Sequence, residues 1–116
     1  MLESPTSARI VMTTVVSREE AERLGRVFLE ERLAACATIL PGAHSIYHWK
    51  GKIESSEESM LLLKTTIHRV PALEARLHEL HSYETPEFLV LAVEAGSRPY
   101  LAWLEASLGT GEVRIA

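Results

Sequence analysis

The order of strand-like and helix-like segments constrains the fold of this chain more than any other feature of its sequence. Four segments have the β-branched or alternating apolar composition that is typical of strands. Two others place apolar residues on one helical face. In chain order the six segments begin near residues 10, 17, 36, 52, 69 and 88. The order strand, helix, strand, strand, helix, strand predicts an α+β domain of the split βαβ type, with an antiparallel sheet that carries both helices on one face.

Capping signals mark where the predicted helices begin and end. Ser17 and Glu20 form the S-x-x-E pattern of a helix capping box. The second helix is expected over residues 69–81, with a proline tolerated in its first turn. Ser97 is expected to cap a last helix that ends at Gly109. The residues of this helix that are expected to point inward are Tyr100, Leu101, Leu104 and Leu108.

Turn residues divide the middle of the chain. The proline and glycine at 41–42 are expected to break or bend the second strand. The lysine and glycine at 50–51 are the turn of a hairpin. The polar residues 55–58 predict a bulge or kink before the third strand continues to residue 66. Beyond the last helix, residues 112–115 predict a short edge strand.

The predicted sheet carries apolar residues on both faces, although the two main helices cover only one of them. Ile46, Tyr47 and Trp49 add further apolar side chains to the hairpin. Self-association through sheet faces and edges would remove these surfaces from water. We therefore expect a homo-oligomer.

Length and charge narrow the class of function. The 116 residues are enough for one domain, which we place at 9–116 after a disordered lead at 1–8. A formal net charge of -4 argues against general nucleic-acid binding, which needs a basic face. No apolar run approaches the roughly 20 residues that span a bilayer, so no membrane partner is expected. Cys36 is the only cysteine, and a reducing cytoplasm suits a chain that forms no internal disulfide.

The densest group of polar side chains is HSYETPE, residues 81–87, at the junction of the second helix and the fourth strand. His81 is either a metal ligand or a residue that interacts with the dipole at the helix end. Glu87 begins a strand that is predicted to be buried, where a carboxylate needs a partner. Tyr83 either stacks on a ligand or fills a subunit interface. Glu84 is expected to be solvated.

Two residues outside this motif carry candidate chemistry. The thiolate of Cys36 suits a soft or borderline metal such as copper or zinc, although lone cysteines are more often core residues. Lys64 interrupts an apolar strand, where it contacts an anion or pairs with a carboxylate such as Glu87. The sequence has no phosphate-binding glycine motif, no nucleophile elbow and no paired cysteines. We therefore expect that the protein is not an enzyme.

Six short motifs in a fixed order are the most specific signal in the sequence. They are RLAAC, LPG, SIYHWKGKI, LLLKTT, HSYETPE and YLAWL, which begin at residues 32, 40, 45, 61, 81 and 100. This combination closely resembles the CutA family, the divalent-cation tolerance proteins. The resemblance implies a ferredoxin-like domain in a tight homotrimer, similar in architecture to PII signalling proteins. It also implies a role linked to copper and other divalent metals.

The same resemblance implies a metal site. Family positions proposed for metal contact match Cys36, His81 and Glu87. The implied ion is Cu²⁺ or another divalent metal, and no organic cofactor is implied. Other family members place copper on a cysteine of the first strand and on two adjacent histidines, and those places hold Thr13 and the pair Leu80 and His81 here.

Two hypotheses on function follow. The first is a cytoplasmic homotrimer that binds or responds to divalent metal, copper in particular, and contributes to metal tolerance. The second is a PII-like regulatory or scaffold trimer, whose inter-subunit clefts bind a small ligand or a protein partner. The residues expected in these clefts are Trp49, Lys64, Tyr83 and Glu84.

Overall fold

The computed structural model contains a four-stranded antiparallel sheet, and it describes residues 2–3 and 5–109. In chain order the elements are β1 (Leu2–Glu3), β2 (Ala8–Val15), α1 (Arg18–Glu30), β3 (Cys36–Trp49), β4 (Lys52–Thr66), α2 (Val70–Leu80), β5 (Leu89–Ala92), β6 (Gly96–Ser97) and α3 (Arg98–Leu108). The strand order of the main sheet is β3-β4-β2-β5. The predicted α+β fold with an antiparallel sheet is therefore confirmed.

The core lies between α1, α2 and one face of the sheet. The Ser17 side chain accepts a hydrogen bond of 3.1 Å from the backbone N–H of Glu20, as the capping pattern predicts. Fully buried side chains of this core are Val11, Val15, Leu24, Phe28, Leu61, Leu63, Leu73 and Leu77. Each contributes about 1.5–3 kcal/mol relative to an exposed side chain. This burial fixes α1 and α2 on the sheet.

The other face of the sheet is covered only at one end, by α3. Leu101, Leu104 and Leu108 pack against Ala8 there, and the buried Arg69 donates a hydrogen bond to the Leu108 carbonyl. The strand pairing places seven apolar side chains on the rest of this face, which we call the open face. They are Ile10, Met12, Leu40, Met60, Leu62, Leu89 and Leu91.

Two predictions about burial are wrong for the single chain. The fourth main strand, β5, was expected to be buried, but its residues are exposed, with Leu89 at 55%. The reason is its place at the edge of the sheet, which its apolar composition does not reveal. Tyr100, expected to point inward, is 45% exposed. Strand β5 and Tyr100 both belong to surfaces that no other element covers in the described part of the chain.

The pair β3 and β4 extends well beyond the rest of the sheet. Because β2 ends opposite Ser59, residues 43–58 form a two-stranded ribbon, which we call the hairpin ribbon. Its turn has positive φ at Lys50 (51°) and Gly51 (79°), which is typical of a tight two-residue hairpin. The predicted hairpin turn is confirmed.

The irregularity in this strand pair lies on β3. The register shifts between Leu40 and Ala43, so that the two residues 41–42 lie opposite one residue of β4. The bulge or kink predicted at 55–58 is wrong, because these residues pair in regular register with residues 43–46. Their polarity reflects the exposed ribbon and not a break in the strand.

Two of the predictions concern the ends of the chain, the lead at 1–8 and the edge strand at 112–115. The disordered lead at 1–8 stays a prediction, although Leu2–Glu3 pairs with Gly96–Ser97 and the Thr6 hydroxyl donates to the Val93 carbonyl. The edge strand predicted at 112–115 lies outside the described residues. Within residues 2–3 and 5–109, the helices are too short or too polar to cross a membrane.

Substitution of Gly25 tests how closely α1 approaches the sheet. A Cβ at Gly25 would lie 3.0 Å from the Cβ of Ala37, which is fixed to the strand backbone and does not rotate away. We expect Gly25→Ala to lower the free energy of unfolding by about 1–3 kcal/mol through overpacking. In a helix free of such contacts, the same change would stabilise by about 1 kcal/mol.

Urea unfolding measures this change in stability. The double variant Gly25→Ala with Ala37→Gly is expected to lose less stability than the sum of the two single variants. Additive losses would contradict the close approach.

Candidate functional site

A cleft of about 380 Å³ lies between the hairpin ribbon and the loop that joins α2 to β5. The side chains that give it chemical character are Tyr47, Trp49, Glu58, Tyr83, Glu84 and Glu87. The ribbon residues reach it because alternate residues of a strand share one side. The cleft therefore joins the HSYETPE motif to residues more than 20 positions earlier in the chain.

His81 anchors the loop of the motif to β2. His81 is 8% exposed, and its Nε2 lies 2.8 Å from the backbone oxygen of Thr14. Its Nδ1 accepts a hydrogen bond of 3.0 Å from the backbone N–H of Tyr83, which assigns the ring proton to Nε2. Both nitrogens are therefore engaged in the fold. Metal ligation by His81, which stays a prediction, requires one of these hydrogen bonds to break.

Tyr83 and Glu58 are linked inside the cleft. The Tyr83 hydroxyl donates a hydrogen bond of 2.7 Å to Oε2 of Glu58, a residue that is only 9% exposed. Burial of the phenol, followed by this hydrogen bond and the charge of Glu58, raises the pKa of Tyr83. Tyr83 therefore remains a donor. The second oxygen of Glu58, Oε1, has no hydrogen-bond donor among the described residues.

Glu87 is a partly buried carboxylate on the same cleft. It has neither an ion pair nor a hydrogen bond within the part of the chain that the structure describes. Burial, and then the negative charge of Glu58, raise the pKa of Glu87. Glu84 is exposed at the mouth of the cleft. The cleft is therefore rich in negative charge, and its lining contains no lysine or arginine of the described residues.

Cys36 and Lys64 lie together on the open-face side of the sheet, outside the lining of the cleft. They are partners across the β3–β4 pair, and Lys64 Nζ lies 3.7 Å from Cys36 Sγ and 2.8 Å from Thr38 Oγ1. Along β4, Lys64 is four residues from Met60, which is the partner of the cleft residue Thr14. This separation is about 13 Å.

One chain consequently brings only part of the predicted site together. His81 and Glu87 belong to the cleft and its supporting loop, whereas Cys36 does not reach them. Trp49, Tyr83 and Glu84 line this cleft of the single chain, whereas Lys64 contacts Thr38. Their place in clefts between subunits stays a prediction. In residues 2–3 and 5–109, no group of three His, Cys, Asp or Glu side chains is arranged to hold a metal ion.

Glu58 is the residue of the cleft that sequence reasoning missed. It was placed in the polar stretch that was expected to be a bulge or kink. The sequence contains a signal for the position of Glu58. Regular pairing from the turn at 50–51 puts Glu58 on the same side of the strand as Met60 and Leu62. Tyr47 was likewise treated only as an apolar residue of the hairpin, although it lines the cleft.

Comparisons with known proteins point to one family. Residues 9–107 match the model of the CutA1 divalent ion tolerance protein family. A divalent-cation tolerance protein CutA of Escherichia coli O139:H28 is 46% identical over 105 residues, which cover 90% of this chain and 94% of the relative.

Solved structures give the same result. The structure of CutA from Synechococcus elongatus PCC7942 has a TM-score of 0.90 and 38% identity, over 94% of this chain and 96% of that one. A structure of the same Synechococcus protein complexed with a Bis-Tris molecule has a TM-score of 0.85 and 36% identity, over 92% of this chain and 99% of that one.

The raised pKa of Glu87 predicts how its removal changes stability with pH. The folded chain keeps the Glu87 proton to a pH above the ordinary pKa of 4.5, so stability falls as pH rises through the raised pKa. Glu87→Gln removes this loss. We expect the variant to be more stable than the native chain at neutral pH, with a difference that shrinks as the pH falls toward the ordinary pKa.

Urea unfolding midpoints between about pH 4 and pH 8 measure this effect. Glu84→Gln is the matched control, because Glu84 is exposed at the same cleft. A stability difference for Glu87→Gln that does not vary with pH would contradict the assignment.

Proposed function

The chain belongs to the CutA1 divalent ion tolerance protein family, and from this premise we propose a cytoplasmic homotrimer that binds or responds to divalent metal, copper in particular. The observation that carries the metal proposal is the pair of carboxylates Glu58 and Glu87. They face one cleft, and neither has an ion pair within the described residues. A divalent cation would offset their mutual repulsion. The family is named for tolerance and not for a reaction, so the proposal includes no catalytic step.

The open face supports the homotrimer. Three of its seven apolar side chains are strongly exposed, namely Leu40 (48%), Leu89 (55%) and Leu91 (45%). Association of subunits is the usual way in which such a surface is removed from water. The hairpin ribbon adds Ile46 and Ile53, which are 69% and 72% exposed. A PII-like trimer that packs the open faces and ribbons of its subunits together would cover both surfaces.

A metal site in this trimer would need ligands from more than one chain. Cys36 lies about 13 Å along the sheet from the cleft within one chain, so a site that contains Cys36 and Glu87 joins two subunits. Soft sulfur and carboxylate oxygen together suit a borderline ion such as Cu²⁺. His81 would join them only after one of its two ring hydrogen bonds breaks.

The cytoplasmic location rests on the cysteine content. Cys36 is the only cysteine of the chain and it is free in the structure. Disulfide-free chains suit a reducing compartment.

A second candidate function is binding of a small molecule in the cleft by a PII-like regulatory trimer. The cavity of about 380 Å³ falls within the size range of small-molecule sites. Trp49, Tyr83 and Glu84, which this hypothesis assigns to clefts between subunits, line the cavity of the single chain. The complex of the Synechococcus relative with Bis-Tris supports the candidate, because that relative takes up a small organic molecule.

The homotrimer predicts a mass of three chains of 12.9 kDa each in light scattering at micromolar concentration. Leu91→Glu places a charge on the open face and is expected to give monomers, because burial of an unpaired carboxylate in an interface is costly. Leu29→Glu is the matched control, since Leu29 is similarly exposed (40% against 45%) but lies on α1. Monomeric native protein, or a trimer that survives Leu91→Glu, would refute the proposed interface.

The shared metal site predicts the outcome of calorimetry with Cu²⁺. Glu87→Gln and Cys36→Ser are each expected to weaken binding about tenfold or more, since each removes a ligand. Trimers that contain both variant chains should recover about one site in three, which is roughly a quarter of the native sites over a random 1:1 mixture, because one interface of each mixed trimer joins an intact Cys36 to an intact Glu87. His81→Ala requires a stability control, since its ring hydrogen bonds hold the fold. Unchanged affinity in both ligand variants would overturn the site.

A further inference from the structure

We propose that Lys64 competes with a divalent metal ion for Cys36, so that an ion binds there only when the ammonium group of Lys64 moves away from the sulfur. This inference rests on the proposed metal function. It adds a residue of the same chain that lowers the affinity for divalent ions.

The first argument is the distance between the ammonium group and the sulfur. Cys36 and Lys64 are cross-strand partners, and Lys64 Nζ lies 3.7 Å from Cys36 Sγ. A metal ion on a thiolate lies roughly 2.3 Å from the sulfur. The two distances together place any ion on Cys36 within about 6 Å of Nζ, whichever side of the sulfur it binds. Two positive charges at this separation repel each other.

The second argument is the local environment, which keeps the ammonium group beside the sulfur. Lys64 Nζ donates a hydrogen bond of 2.8 Å to Thr38 Oγ1, which lies 3.8 Å from Cys36 Sγ. On its other side, Lys64 borders an apolar cavity of about 120 Å³, whose lining includes Ile10 and Leu101. Apolar walls offer no partner to an ammonium group. The sulfur and the hydroxyl are therefore its polar contacts within the described residues.

The third argument concerns the carboxylate of the shared site. In the proposed trimer, an interface that joins Cys36 to Glu87 of the partner subunit brings Lys64 there as well, because Lys64 is in contact with Cys36. The ammonium group then gives this carboxylate a positive partner before a metal ion arrives. A divalent ion must therefore displace Lys64 from both of its ligands.

The charge balance makes the competition depend on the ion. A divalent ion that binds the Cys36 thiol adds two positive charges, while the thiol releases one proton to water. The site thus gains one net positive charge beside Lys64. A monovalent ion replaces the proton charge for charge, so the net charge of the site does not change. Lys64 therefore opposes a divalent ion but not a monovalent one.

The test compares Zn²⁺, which has no redox chemistry, with Ag⁺, a soft monovalent ion that suits a thiolate. Lys64→Met removes the charge and keeps an unbranched side chain. Calorimetry is expected to show about tenfold tighter Zn²⁺ binding to this variant than to the native protein, and an Ag⁺ affinity unchanged within about threefold.

Further variants separate the charge of Lys64 from its packing. Lys64→Arg keeps the positive charge and is expected to retain the native Zn²⁺ affinity. Arg26→Met is the control for net charge, because Arg26 is exposed on α1, where it pairs with Glu22, and its loss should leave both affinities unchanged. Light scattering checks that each variant keeps the native mass, and Lys64→Gln replaces Lys64→Met if the latter does not assemble.

The outcomes distinguish this inference from the metal function on which it rests. Equal Zn²⁺ affinity of the native protein and Lys64→Met, or an equal gain for Zn²⁺ and Ag⁺, would overturn the competition and leave metal binding in place. Zn²⁺ binding that is measurable only in Lys64→Met would support the inference. Absence of Zn²⁺ binding in both proteins would overturn it, while the Cu²⁺ calorimetry of the ligand variants still decides the metal function separately.

Discussion

The register of the β3–β4 pair decides which side chains the cleft receives. Side chains alternate between the two sides of a strand, so one extra residue reverses every position that follows it. The two residues 41–42 opposite one residue of β4 supply that reversal. Without the bulge, His44, Ile46 and His48 would point toward the cleft. With it, Tyr47 and Trp49 do so, and the side chains that β3 contributes to the cleft are aromatic and not imidazole.

The loop after α2 depends on a second constraint, the two ring hydrogen bonds of His81. Its acceptor nitrogen holds the backbone of the loop and its donor nitrogen holds β2, so a single side chain sets the position of Tyr83. Tyr83 in turn holds the buried carboxylate of Glu58. The residue that first suggests a metal ligand thus has a structural role in the single chain. Its hydrogen bonds explain why histidine suits this position whether or not a metal binds.

Local signals in the sequence predicted those parts of the fold that depend on neighbouring residues. The Ser17 cap and the turn at 50–51 involve contacts over three or four positions, so the sequence reveals them directly. The exposure of β5 was missed, because apolar composition does not distinguish an edge strand from a central one. The grouping of Glu58 with Glu87 depends on strand register and on a loop 25 residues away, and no local pattern carries that information. For the same reason the sequence did not show that Cys36 lies far from His81.

The strand order has a consequence for how the chain acquires its structure. β2 is the first main strand to be synthesised, yet it lies in the interior of the sheet, between β4 and β5. Its neighbours come from residues 59–66 and 89–92, so its backbone donors and acceptors remain without strand partners until most of the polypeptide exists. Pairings of this sequence separation close large loops and fold slowly. On the ribosome, α1 and the β3–β4 hairpin are therefore synthesised before β5, the strand that pairs with the second edge of β2.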